Sequence, residues 1–166
     1  MNQKSMSVKR LVRCAVIAAI YVVLCLALQP FSYGAVQVRV AEAFCLLPIF
    51  GTEYIIGVTL GCFLANLLGS PYVLDWVFGT LATLLAAIWT SKLKNRWLAP
   101  LPPVVCNAVI VGAEIAYFAT LDGAAFWPAY ALNAFTVGLG EAIACFVLGT
   151  LLLQALDKVP GLRRAV

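Results

Sequence analysis

The chain has 166 residues, of which 64% are apolar and 11% charged, with a net charge of +4 and no histidine; its mean hydropathy is +1.01. Such a composition excludes an ordinary soluble domain, and the length leaves room for one small integral membrane domain but not for a soluble catalytic module. Without histidine, a histidine-based triad, a histidine proton relay and a typical zinc site are also excluded.

Lys4, Lys9, Arg10 and Arg13 precede an apolar run from Cys14 to Leu28. That run imitates a signal peptide, but no small-residue cleavage site follows it. The next stretch, Gln29 to Arg39, carries Pro30 and Gly34 instead, so the run reads as a retained first span. Further apolar segments are Ala43 to Phe50, Ile55 to Leu68, Trp76 to Thr90, Leu101 to Leu121 and Pro128 to Leu156. The first two of these are short for helices that must cover about 30 Å with roughly 20 residues, and they could fuse into one.

Parity decides between the alternatives. If Pro48, Gly51, Thr52 and Glu53 form a turn, the chain crosses six times. The N-terminal bases, the Lys92, Lys94 and Arg96 loop and the tail bases Lys158, Arg163 and Arg164 then share the cytoplasmic side, which is ten of the eleven bases. Fusion would send the last two clusters outside, against the positive-inside rule. The sequence therefore predicts an all-α integral membrane bundle of six transmembrane helices, spanning 9–29, 41–50, 54–69, 75–91, 101–121 and 128–156. It forms a single domain over 1–166, with both termini cytoplasmic.

Glu42, Asp75, Glu114 and Glu141 interrupt these spans, and one base, Arg39, lies near them. A charged side chain at the centre of a membrane helix costs about 2.5 to 3.5 kcal/mol on insertion scales, so such residues rarely face lipid and mark sites by default. The topology places Arg39 and Glu42 where the first outer loop enters the second span. Asn66 falls near the outer end of the third span and Asp75 at the outer start of the fourth. Glu114 lies one to two turns below the outer end of the fifth, on the face of Asn107, and Asn133 and Glu141 lie in the sixth. Internal pairing, for example of Arg39 with Glu42, accounts for at most one or two of the acids. An acidic, amide-lined outer pocket favours a ligand rich in hydrogen-bond donors or carrying positive charge. The aromatics Tyr33, Tyr72, Trp76, Phe78, Trp127 and Tyr130 fall at the same level and suit a flat ligand, although Trp and Tyr gather at membrane interfaces whatever the function.

Small residues recur at helix-packing spacing: Ala15 and Ala19; Gly57, Gly61 and Ala65; Ala108, Gly112 and Ala116; Ala134, Gly138 and Ala142. They pack the bundle itself, except that Ala15 and Ala19, close to the cytoplasmic end, could face a partner subunit. The six cysteines are scattered singly with no CxxC spacing and read as small buried apolar residues. No GxxxxGK[ST] loop is present, so ATP hydrolysis would have to come from another subunit. Thr136 to Gly140 approximates a potassium-channel filter string, but it lies inside a continuous apolar stretch and not on a re-entrant segment.

Several blocks together resemble one family. They are Tyr33 to Ala43 (YGAVQVRVAEA), Gly57 to Leu67 (GVTLGCFLANL), Asp75 to Thr83 (DWVFGTLAT), Val111 to Glu114 (VGAE) and Gly140-Glu141. This combination is similar to the QueT-type family, substrate-binding S components of energy-coupling factor (ECF) transporters associated with queuosine precursors. Ala15 and Ala19 also match the AxxxA pattern by which such S components dock on a shared transmembrane T component. Ala41 departs from the pattern, where many relatives would carry Ser.

The resemblance implies a six-helix S component in a prokaryotic plasma membrane. It would capture a 7-deazaguanine such as the aminomethyl form, or queuine or queuosine, and work with a T component and two ABC-type ATPases. It implies no enzymatic activity, no cofactor and no nucleic-acid partner. Glu114 and Glu141 are the expected substrate contacts, with Asn66, Asp75, Asn133 and Asn107 as further polar contacts and Trp76, Phe78, Trp127 and Tyr130 as aromatic ones. Arg39 and Glu42 are expected to order the closing loop or to reach the ligand's keto oxygen. The alternative class is a self-contained secondary transporter or channel for a small cationic solute. An intramembrane enzyme is disfavoured because no nucleophile stands beside a base.

Overall fold

The computed structural model describes residues 8–29 and 39–158, and among them every regular element is helical. Six rods follow in the order that hydropathy predicts: α1 (Val8–Ala27), α2 (Val40–Ile49), α3 (Glu53–Gly69), α4 (Val73–Lys92), α5 (Leu101–Leu121) and α6 (Phe126–Leu156). A single 3-10 turn, Arg96–Leu98, precedes α5. Four stretches, α1, α4, Arg96–Leu121 and α6, are long and apolar enough to cross a bilayer, while α2 and α3 are shorter apolar helices. Tyr33, the start of the Tyr33 to Ala43 block, Lys4, Arg163 and Arg164 lie outside the described residues.

α2 differs from its neighbours. It is wound as a 3-10 helix, so its ten residues extend only about 20 Å at roughly 2.0 Å each, short of the hydrocarbon thickness. Eight of those residues are buried: Ala41, Glu42, Ala43, Cys45, Leu46, Leu47, Pro48 and Ile49. It stands inside the bundle, touching α1, α3, α4 and the C-terminal part of α6. α6 accommodates it: its hydrogen bonding loosens to a π-helix over Ile143–Gly149 before resuming at Thr150–Leu156. Within that stretch Gly149 lies against α2, where a Cβ would stand 2.8 Å from Leu46.

Around α2 the rods pack in sequence, α1 on α3, α3 on α4, α4 on α5 and α5 on α6. Small residues bring the backbones together, as they must where lipid removes the hydrophobic drive between helices. A Cβ on Gly57 would stand 3.1 Å from the Cys14 carbonyl oxygen, one on Gly61 2.8 Å from the Tyr21 Cβ, and one on Gly112 2.8 Å from the Ala134 Cα. α1 thus turns Cys14, Ile17, Ala18, Tyr21 and Cys25 inward, the i, i+3, i+4, i+7 stripe of one helix face.

The two ends of the bundle differ in charge. At one end Cys14 donates to the Glu53 carbonyl and Arg13 lies 3.9 Å from Glu53; there too Arg96 pairs with Asp157 and sits over the Phe50 ring. Lys9, Arg10, Lys92, Lys94 and Lys158 lie on the same termini and connection, so this is the basic end. At the far end Gln29 donates to the Gly69 carbonyl, and the Tyr72 ring lies 4.6 Å from that of Phe118.

One carboxylate joins four elements at the centre. Glu42, fully buried on α2, accepts hydrogen bonds from the Tyr21 hydroxyl of α1 and, at 3.2 Å, from the Thr83 hydroxyl of α4. Its other oxygen accepts from the Cys45 thiol at 2.8 Å, and its backbone carbonyl from the Cys145 thiol of α6 at 3.6 Å. Removing the Tyr21 hydroxyl leaves that oxygen with Thr83 alone and costs the worth of one buried hydrogen bond, about 1–3 kcal/mol. Tyr21→Phe is therefore expected to lower stability by that amount, read as a drop in the unfolding midpoint of detergent-purified protein; an unchanged midpoint would remove Glu42 as the tie.

Candidate functional site

The interior of the bundle, from its centre to the far end, gathers buried polar side chains that the sequence scatters over five elements, with Asn107 nearer the basic end. Arg39, Glu42, Asn66, Ser70, Asp75, Asn107, Glu114 and Glu141 are all at most 7% exposed. Asp75 enters through the first turn of α4, where the helix dipole favours an anion. Its carboxylate accepts from the Ser70 hydroxyl, which also accepts from the Tyr72 backbone N–H at 3.2 Å. Asn66 on α3 donates to the Asp75 carbonyl at 3.0 Å, and the Trp76 indole donates to the Ser70 carbonyl at 3.4 Å. The α3–α4 connection is thus folded by its own polar residues.

Arg39, just before α2, lies beside Asn66 and Gly79. A Cβ on Gly79 would stand 2.7 Å from the Asn66 amide nitrogen and 3.7 Å from Arg39 Nη1, so glycine keeps open the space that both side chains use.

Glu114 is the buried acid of this assembly that lies at a cavity. The residue is 5% exposed, and its carboxyl group stands within hydrogen-bonding reach of the Asp75 carboxyl of α4. The Asp75 charge acts on it from α4. It lines a cavity of about 540 Å³ on the α4–α5 seam, with Leu74 and Phe78 from α4 and Val109, Ile110, Ala113 and Tyr117 from α5. Spacing explains the lining: residues four apart share a helix face, so Leu74 and Phe78 form one wall and Ile110, Glu114 and their neighbours the other. Two facing carboxyl groups offer acceptors that a donor-rich or cationic group satisfies.

The remaining expected site residues occupy varied settings. Glu141 is 2% exposed, with the Cys145 thiol 3.9 Å from its carboxylate. Asn107 and Asn133 each donate to a carbonyl one turn back on their own helix, Pro103 at 3.0 Å and Ala129 at 2.8 Å. Trp127, 74% exposed, packs edge-on to Phe126 and Tyr130, and Phe126 and Tyr130 stack at 5.9 Å. Ala15 and Ala19 are exposed on α1, on the side away from the Cys14 and Ala18 stripe that meets α3.

Tyr21, Ser70, Thr83 and Tyr117 were not singled out by sequence reasoning. Lone hydroxyls inside apolar spans were the available signal for Tyr21 and Thr83, because a buried hydroxyl requires a partner. Tyr117 lies three residues after Glu114 and hence on its face. Among the described residues no group of three or more cysteine, aspartate or glutamate side chains is placed to hold a metal ion.

Comparison with known proteins agrees with this picture of a helical membrane protein. A family model described as QueT transporter matches residues 11–158. A queuosine precursor transporter QueT from Lactococcus lactis subsp. cremoris (strain MG1363) is 41% identical over 76 residues, covering 45% of this chain and 44% of that protein's length. No solved structure matches. With the family model covering nearly the whole chain, the protein belongs to the QueT transporter family.

Proposed function

We propose that this chain is the substrate-binding S component of an ECF-type importer, which captures a queuosine precursor or salvage compound from outside the cell and hands it to partner subunits for ATP-driven uptake. The ligand is a 7-deazaguanine such as the aminomethyl base, or queuine or queuosine. The observation that carries the reading is the buried pair of facing acids, Glu114 and Asp75, at the cavity on the α4–α5 seam. Family membership supports the transport role, and the matching relative is named a queuosine precursor transporter. A guanine-like edge presents N–H groups to a carboxylate, and an aminomethyl group adds a cation for a second acid such as Glu141.

In this reading the chain crosses the membrane six times with its basic end in the cytoplasm. Seven of the eight bases among the described residues stand at that end, and the eighth is Arg39, as the positive-inside rule requires. The acid cluster then opens outward, where a ligand arrives. α1 presents Ala15 and Ala19 on an exposed surface near the basic end, and such small residues suit close docking of a T-component helix.

Glu114→Gln is expected to weaken binding of 7-aminomethyl-7-deazaguanine by the worth of a charge-assisted hydrogen bond, roughly 1.5–3 kcal/mol, in calorimetry on the purified chain. Wild-type affinity in that variant would take Glu114 out of the site. Ala15→Leu and Ala19→Leu are expected to abolish uptake in cells that carry the partner subunits while leaving binding by the isolated chain unchanged. If binding fell too, these alanines would belong to the chain's own packing. Uptake by proteoliposomes holding this chain alone, without ATP or partners, would contradict the proposal and favour a self-contained transporter or channel.

A further inference from the structure

A ladder of buried polar contacts runs along the α3–α4 seam and ends at Asp75. Cys62 and Asn66 stand one turn apart on α3, and Asp75, Gly79 and Thr83 follow at the same spacing on α4, so each set shares one helix face. The two faces meet. Asn66 Nδ2 donates to the Asp75 carbonyl at 3.0 Å and to Cys62 Sγ at 3.5 Å, and the Cys62 thiol donates to the Gly79 carbonyl at 3.7 Å. The Thr83 hydroxyl stands 3.2 Å from Cys62 Sγ and 3.2 Å from the Glu42 carboxylate. Cys62, Asn66 and Thr83 are at most 1% exposed.

Both N–H bonds of the Asn66 amide are engaged in this seam, which leaves neither as a donor for a ligand. Gly79 fixes where the amide lies, because a Cβ there would stand 2.7 Å from Nδ2 and displace it. The carbonyl that Asn66 holds belongs to the first turn of α4, the turn from which the Asp75 side chain departs. The Ser70 hydroxyl and the Glu114 carboxyl meet that side chain further out.

We propose that Asn66 is a positioning residue and not a ligand contact: seated between Cys62 and the bare face of Gly79, it fixes the first turn of α4 so that the Asp75 carboxyl faces Glu114. What the pair of acids then does rests on the proposed function, whereas the positioning is a property of the chain without ligand. Through Thr83 the same ladder reaches Glu42, so the acid that ties the fold together and the acids at the cavity are held in register along one face of α4.

Infrared spectroscopy of the purified full chain without ligand tests the role at Asp75 itself. The carboxyl band that disappears in Asp75→Asn is expected to shift in Asn66→Ala, Cys62→Ala and Gly79→Ala. It is expected to stay in place in Cys62→Ser, whose hydroxyl replaces the thiol as donor and acceptor. Calorimetry with 7-aminomethyl-7-deazaguanine is expected to follow the same order, with Asn66→Ala binding about tenfold more weakly than wild type. Gly79→Ala, which removes no polar group, is expected to weaken binding by the wild-type chain yet to cause no further loss in Asn66→Ala, where the shortened side chain leaves room for the methyl group. An Asp75 band unmoved in Asn66→Ala and Gly79→Ala, or binding losses that add in the double variant, would overturn the positioning role. If the wild-type chain does not bind the probe, the ligand named under the proposed function fails, and the Asp75 band alone decides the positioning role.

Discussion

The fold depends on a buried carboxylate that is satisfied from within. Glu42 sits on a short helix buried among the others, and an unpaired charge there would be among the costliest features the chain could carry. Tyr21, Thr83 and Cys45 donate to its carboxylate, and Cys145 to its carbonyl. These contacts hold α2 against α1, α4 and α6 at once. A short central helix lets the surrounding rods close tightly at the basic end, where Leu46 meets Gly149. It also places Arg39, the residue before it, in the far half where the other acids stand.

With Glu42 committed to the fold, the other acids divide. Asp75 is held by Ser70 and by its place in the first turn of α4, and its backbone carbonyl is held by Asn66. Glu114 faces the Asp75 carboxyl and lines a cavity. The distinction lies in the partners, since all three are buried to a similar degree: donors surround Glu42, whereas Glu114 faces a second acid. In a low-dielectric interior two facing acids attract a cationic or donor-rich group more strongly than they would in water.

The order and rough limits of the helices were legible in the sequence because lipid demands long apolar runs, and those runs are separated by Pro, Gly and charged residues. Which face of each helix turns inward was not. A rod apolar on all sides has no polar face to mark its outside, so Ala15 and Ala18 look alike in sequence although one is exposed and the other packed. For the same reason the pairing of Tyr21 with Glu42 was hidden, and the π-helical stretch after Ala142 reads as ordinary helix. The convergence of polar groups was more legible: the depth of Glu114, its side shared with Asn107 and the entry of Asp75 at a helix start all follow from counting turns. The cavity itself depends on how α4 and α5 are rotated against each other, which side-chain contacts decide and periodicity does not.

Infrared difference spectroscopy of the purified chain, recorded on adding 7-aminomethyl-7-deazaguanine, tests most directly whether one acid serves the fold and another the ligand. The account predicts a ligand-induced change in the carboxyl bands that is present in the wild-type protein and missing from Glu114→Gln. A change of the same size and position in Glu114→Gln would show that a different carboxylate meets the ligand and would contradict the division between Glu42 and Glu114.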